Sequence, residues 1–322
     1  MRSLSGASTT IVAVLAIGSF ASVGCAKVGE IKAKKAFKSA NQAYQAQDYK
    51  KAAGFYEEAV AADPNLGSAY FFLGNSYDNL YKPSKRGEAE NDALLTKAVN
   101  NYQRGAEKLS ASADPKDKQL GTLSLQYLVA AYGPDKLNDP AKAEPVVQKM
   151  IQLEPGEPAN YFALAKIYED AGAYEEAEKI LQAAKQAKPG DPAVYMTLAG
   201  YYNRQGRFDK TIEAIEERAV KEPNNPEVFY TISVFYWDEA YRDPKLKEAE
   251  KKAYVAKGVT AVDHALQIKS DYMDALVYKG LLLRLQATLE KEPAKQQQLL
   301  KDAEKLSQQA NDLRKKKAAG TN

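Results

Sequence analysis

One histidine and one cysteine bound the chemistry open to this chain. Among its 322 residues, His264 and Cys25 stand alone in their types. Zinc sites draw most of their ligands from several histidines and cysteines, so no zinc centre is expected. A Ser-His-Asp arrangement would have to use His264, and no nucleophile-elbow pattern accompanies it. His264 instead sits beside Val262 and Ala265 at helical spacing, which marks it as a structural residue. No glycine-rich phosphate loop occurs. Carboxylates are plentiful, but groups such as Glu175, Glu176, Glu178 and Lys179 set opposite charges one helical turn apart, as solvated helix faces do. No catalytic, metal-binding or cofactor-binding residue is expected, and the chain is read as a non-enzyme.

The charge balance narrows the partners. Lys and Arg number 45 and Asp and Glu 42, a formal +3. Such an even mixture does not suit a dedicated nucleic-acid binder. The chain is expected to bind proteins or peptides, with no nucleic acid and no small-molecule substrate.

The elements that must position any site are legible between Pro158 and Pro223. Tyr161, Leu164, Ala165, Tyr168, Ala177, Leu181, Ala184 and Pro189 recur 34 residues later as Tyr195, Leu198, Ala199, Tyr202, Thr211, Ile215, Arg218 and Pro223. The first four of each set fall at i, i+3, i+4 and i+7, one face of a helix. Ala177, Leu181 and Ala184 form a stripe on a second helix, and Gly172 between them suits a left-handed helix end. Ala165 and Ala177 are small where two backbones approach. One such pair cannot bury its apolar stripes alone and must stack on neighbours.

This period and these residues resemble the tetratricopeptide repeat family. The resemblance implies an all-α, right-handed solenoid of about seven stacked helix-turn-helix pairs, with repeats near 33–64, 67–110, 118–155, 158–189, 192–223, 226–270 and 273–317. Arg218 departs from the pattern, standing where the family has a small residue. Either its stem runs outward along the surface or its helix packs one residue out of register.

Three pairs are longer than the rest. Nine residues separate Tyr168 from Ala177, against twenty-one from Tyr77 to Ala98, twenty-two from Tyr236 to Gly258 and twenty from Leu283 to Ala303. Each insertion holds a proline: Pro83, Pro244 or Pro293. These read as elongated hairpins, which either lengthen the packing or form a lip that grips a partner. The helix from Gln296 to Lys317 is rich in charged and amide residues and suits a solvent-facing cap, as terminal repeats require.

Met1 to Gly24 has the form of an export signal, with Arg2 followed by an apolar run from Ile11 to Phe20. Ser22-Val23-Gly24-Cys25 resembles a bacterial lipobox, which implies lipidation of Cys25, a linker over 25–32 and an outer membrane location facing the periplasm. Ser22 departs from that pattern. Simple cleavage with a soluble periplasmic product, or an uncleaved inner-membrane anchor, are the alternatives. Lys27, Lys32, Lys34, Lys35 and Lys38 make the entry to the repeats basic.

In this family the groove is lined from the first helix of each pair. Carried over by position, its residues are Phe37, Asn41, Phe71, Asn75, Asp78, Phe162, Lys166, Glu169, Met196, Asn203, Tyr230, Val234, Trp237, Val277 and Leu281. The asparagines suit a peptide backbone, and the aromatics suit apolar side chains. The resemblance implies a periplasm-facing scaffold that binds envelope proteins in this groove. The alternative is a structural assembly factor, similar to pilotins or barrel-assembly lipoproteins, acting through the long hairpins.

Overall fold

The computed structural model describes residues 17–110 and 112–320, with side chains over 27–110 and 112–320. Most of the expected export signal over 1–24, and the Cys25 side chain with its expected lipid, lie outside the described residues. Among the described residues every regular element is helical, and the chain divides into two compact units between Pro155 and Gly156.

The first unit holds α1 (Ile17–Gln45), α2 (Tyr49–Ala62), α3 (Gly67–Leu80), a 3-10 turn (Pro83–Lys85), α4 (Ala89–Leu109), α5 (Pro115–Tyr132) and α6 (Pro140–Leu153). The second holds α7 (Pro158–Asp170), α8 (Tyr174–Ala187), α9 (Pro192–Arg204), α10 (Phe208–Lys221), α11 (Pro226–Arg242), α12 (Glu248–Ile268), α13 (Met273–Leu289) and α14 (Pro293–Ala318). Each helix packs on the next within its unit. α1 continues unbroken through 25–32.

Local chemistry sets the helix ends. Asp48, Asp139, Asp191 and Asn225 accept backbone N–H groups at the starts of α2, α6, α9 and α11, which removes orphan donors of the first turn. Proline opens α5, α6, α7, α9, α11 and α14, where its missing N–H costs nothing. Gly172 and Gly206 close α7 and α9 at φ of 75° and 66°.

Packing follows the repeat. Tyr161 and Tyr195 are buried, and Ala40, Ala52, Ala98, Ala177, Ala184, Ala265 and Ala303 are wholly so. Small residues at the crossings let large ones fill the gaps, and Tyr56, Tyr102 and Tyr201 are among the largest fully buried side chains. Arg218 is buried at 8% exposure. Its guanidinium folds along its own helix onto Glu222 (Nε to Oε1, 2.9 Å), and Asn225 donates to the same carboxylate at 2.6 Å. A charge therefore occupies the small-residue position because its counter-ion stands one turn away, rather than by running outward to solvent.

The long hairpins take their extra length mainly in the second helix. α4 and α12 have 21 residues and α14 has 26, against 13 or 14 in α7 to α10. Asn91 locks the first of them. Its Oδ1 accepts from Lys82 N at 2.9 Å, and its Nδ2 donates to Lys82 O at 3.1 Å.

Candidate functional site

The expected groove residues fall into one polar cavity in the first unit, one aromatic row in the second, and a remainder that joins neither. In the first unit, Tyr44 at the end of α1 and Tyr49 at the start of α2 face α3, which supplies Asn75, Asp78 and Asn79. Tyr81, Pro83, Tyr127 of α5 and Lys136 of the α5–α6 turn complete a cavity of about 420 Å³.

Its floor is a connected hydrogen-bond network. Tyr44 Oη donates to Asn75 Oδ1 at 2.5 Å, and Asn79 Nδ2 donates to the same oxygen at 2.8 Å. Lys136 Nζ meets Asp78 Oδ1 at 2.5 Å, and Tyr102 Oη donates to Asp78 Oδ2 at 3.3 Å. Burial pushes the Tyr102 phenol strongly upward, and the neighbouring Asp78 charge adds to this. Asn41 spends its Oδ1 on the Tyr56 hydroxyl at 2.6 Å. Asn41 and Asn75, expected as peptide contacts, thus accept from the buried Tyr56 and the half-buried Tyr44.

Phe37 packs on Tyr56 and Phe72, with ring centroids 5.7 and 6.2 Å apart. Phe71 is buried against Phe72, Tyr102 and Tyr127. It was read as a groove anchor. It is core because α5 lays Tyr127 over it.

In the second unit, Tyr230 and Trp237 lie two turns apart on α11. Tyr278 of α13 reaches between them, edge-on to both at 5.3 and 5.8 Å. Tyr272 meets Tyr230 at 5.2 Å, and Tyr241 stacks on Trp237 at 4.9 Å with planes 9° apart. Burial pushes the Tyr230 hydroxyl up to about 12, with Tyr278 and Asp274 adding to it. Trp237 is half-buried, while Tyr241 is 62% exposed at the end of α11. The row therefore runs from packed interior to open surface. Val234, Val277 and Leu281 are half-buried on the same two helices.

The other expected residues stay apart. Phe162 and Met196 are half-buried on α7 and α9, and Asn203 is exposed. Lys166 pairs with Asp170 on its own helix. Glu169 is clamped by Arg204 through two bonds of 2.8 Å, which tie α9 to α7 and hold its carboxyl below the usual range. His264 is exposed on α12, with its ring 3.9 Å from that of Phe229. Among the described residues no group of three His, Cys, Asp or Glu stands together as a metal site. No described helix is long and apolar enough to cross a membrane.

Reasoning from the repeat missed Tyr44, although it lies 34 residues before Asp78 and so occupies the matching position. Lys136 carried no such signal, because it sits in an irregular turn 58 residues from its partner.

Residues 136–201 match a family model described as tetratricopeptide repeat. No curated relative matches the sequence. The chain is similar to the solved C-terminal part of a TPR repeat-containing protein from Cytophaga hutchinsonii, at 16% identity and a TM-score of 0.52 over 86% of this chain and 98% of that one. It is also similar to MamA, at 16% identity and a TM-score of 0.44 over 67% of this chain and 98% of that one. A third similar structure is YrrB, a TPR protein with an unusual peptide-binding site, at 15% identity and a TM-score of 0.35 over 75% and 88%. Residues 136–201 thus carry the repeat that the family model describes, and the fold is that of a tetratricopeptide-repeat array.

Proposed function

We propose that the chain is a non-enzymatic scaffold of the cell envelope that captures peptide segments of partner proteins on the aromatic row of α11 and α13. The observation that carries this reading is the convergence of Tyr230, Tyr278, Trp237 and Tyr241. Locked rings lose little conformational freedom on binding, and Trp and Tyr are the residues most enriched among binding anchors. Their flat faces suit aliphatic, aromatic or proline side chains, while the hydroxyls and the indole N–H serve a peptide backbone. Stacked repeats commonly work through such surfaces. The peptide-binding site of YrrB is a property of that protein, and a comparable role here is part of the proposal. The signal-like residues 1–24 and Cys25 support export and a lipid anchor at the outer membrane, facing the periplasm.

Selection from a random peptide library tests the reading. The chain is expected to enrich one apolar or aromatic motif, and Tyr230→Ala with Trp237→Ala is expected to lose it while helicity stays the same. Equal enrichment by the double variant would refute the site. Acyl labelling of the chain against Cys25→Ala tests the anchor.

One observation favours the second reading, an assembly factor acting through its hairpins: residues 82–90 are all exposed at the tip between α3 and α4. Replacing that tip with a short turn would then abolish complex formation, and the aromatic variants would not.

A further inference from the structure

The cavity of the first unit has a chemistry that peptide capture on α11 and α13 does not use. At about 420 Å³ it has the size of a small-molecule site. Its charges cancel, since Lys136 neutralises Asp78. That balance disfavours a phosphate, which needs surplus positive charge, and a metal ion, which needs several carboxylates.

What remains is a set of polar atoms open to a ligand: Asn79 and Tyr127 are exposed, Tyr49 is half-buried, and only the Tyr81 hydroxyl is buried without a partner. Asn79 gives its Nδ2 to Asn75, which leaves its Oδ1 without a hydrogen bond among the described residues. Lys136 spends one N–H on Asp78 and keeps two. The hydroxyls of Tyr49 and Tyr127 have no hydrogen-bond partner among the described residues. Tyr81, also in the lining, is 6% exposed and its hydroxyl has no partner either. A buried hydroxyl without a partner costs free energy and is rare in native folds. Donors and acceptors thus both line a neutral space.

The walls are aromatic. Tyr44 and Tyr49 stand at 77° to each other with centroids 5.4 Å apart, and Tyr127 closes the side against α5. Flat rings beside mixed donors and acceptors match a pyranose, which shows apolar C–H groups on its faces and hydroxyls around its edge. An extended peptide would instead need its partners strung along a track. Here they converge from α1, α2, α3, the 3-10 turn, α5 and the turn after it on one open, shallow spot.

We propose that this cavity binds a neutral saccharide, with the tyrosine rings against the sugar face and Asp78, Asn79 and Lys136 on its hydroxyls. The site is separate from the aromatic row, and neither depends on the other.

Calorimetric titration of the full chain with neutral hexoses, N-acetylhexosamines and their disaccharides tests this. At least one sugar is expected to bind with a dissociation constant below about 10 mM. Asn79→Ala and Tyr127→Phe are each expected to weaken it about tenfold, the effect of one lost hydrogen bond at the upper end of its range. Circular dichroism should show unchanged helicity, and Tyr230→Ala with Trp237→Ala should bind the sugar normally. The proposal is overturned if no sugar of the panel binds, or if both cavity variants bind as the parent does. Competition for the cavity by a peptide that the aromatic row selects would overturn it as well.

Discussion

Gly74 and Gly54 allow one substitution to be tried with opposite signs. Gly74 lies in α3 where α4 crosses it. A methyl group there would stand 2.8 Å from Tyr102 Cδ1, 3.0 Å from Cε1 and 3.1 Å from Ala98 O. Carbon contacts settle near 3.5–4.0 Å, so about 0.7 Å must be found. Neither neighbour gives easily. Tyr102 is fully buried with its hydroxyl on Asp78, and Ala98 O is helix backbone. Overpacking of this kind costs about 1–3 kcal/mol. Replacing glycine inside a helix returns about 1 kcal/mol. Gly74→Ala is therefore expected to destabilise the first unit by about 1 kcal/mol, the middle of that range less the propensity gain. Gly54, inside α2, has no atom within 4 Å of its added methyl. Gly54→Ala keeps the propensity gain and stabilises by up to about 1 kcal/mol. Urea unfolding followed by circular dichroism reads both, since both glycines lie in the first unit. At a slope of about 2 kcal/mol/M, the two midpoints should separate by about 1 M. Gly74→Ala unfolding at the same urea concentration as Gly54→Ala, or above it, would refute the close crossing of α3 and α4.

Arg218→Ala should cost about 2 kcal/mol in the same assay, below the figure for a fully buried pair because Glu222 keeps some access to water. Arg218→Met together with Glu222→Gln should recover most of that loss. Tyr81→Phe removes a buried hydroxyl that has no partner and should raise stability by about 1 kcal/mol. Glu169 has its folded pKa lowered, chiefly by its bonds from Arg204. Its stabilising effect is therefore full above the ordinary glutamate pKa and is lost as pH falls through that value toward the folded one. The melting temperature of Glu169→Gln should fall below that of the parent at pH 7, and the gap should close at pH 3. The difference is modest because Arg204 is largely solvated.

The fold was readable wherever residue type and spacing agreed. The offset of 34 residues placed Tyr161 and Tyr195 in the core. The division at Pro155 and Gly156 was not readable, because that stretch carries the same turn chemistry as the joints between other pairs. Arg218 needed a tertiary view to see that it is buried, although its partner Glu222 stands at the ordinary helical spacing. In the candidate sites, Tyr230 and Trp237 were visible as the aromatic residues of one helix face. Tyr278 comes from the next pair, and its place between them depends on how α13 packs on α11. Phe71 was misplaced because side-chain direction depends on the helix that covers it, and α5 breaks the period. Lys136 reaches Asp78 from an irregular turn, which no periodic pattern reports.

Trp237 is the chain's one tryptophan, so its fluorescence reports on the aromatic row without any substitution. Titration with a peptide from the library selection should shift its emission to the blue, saturating at the same dissociation constant that calorimetry gives. A peptide that binds by calorimetry while the emission of Trp237 stays unchanged would contradict the central claim that partners are held on α11 and α13.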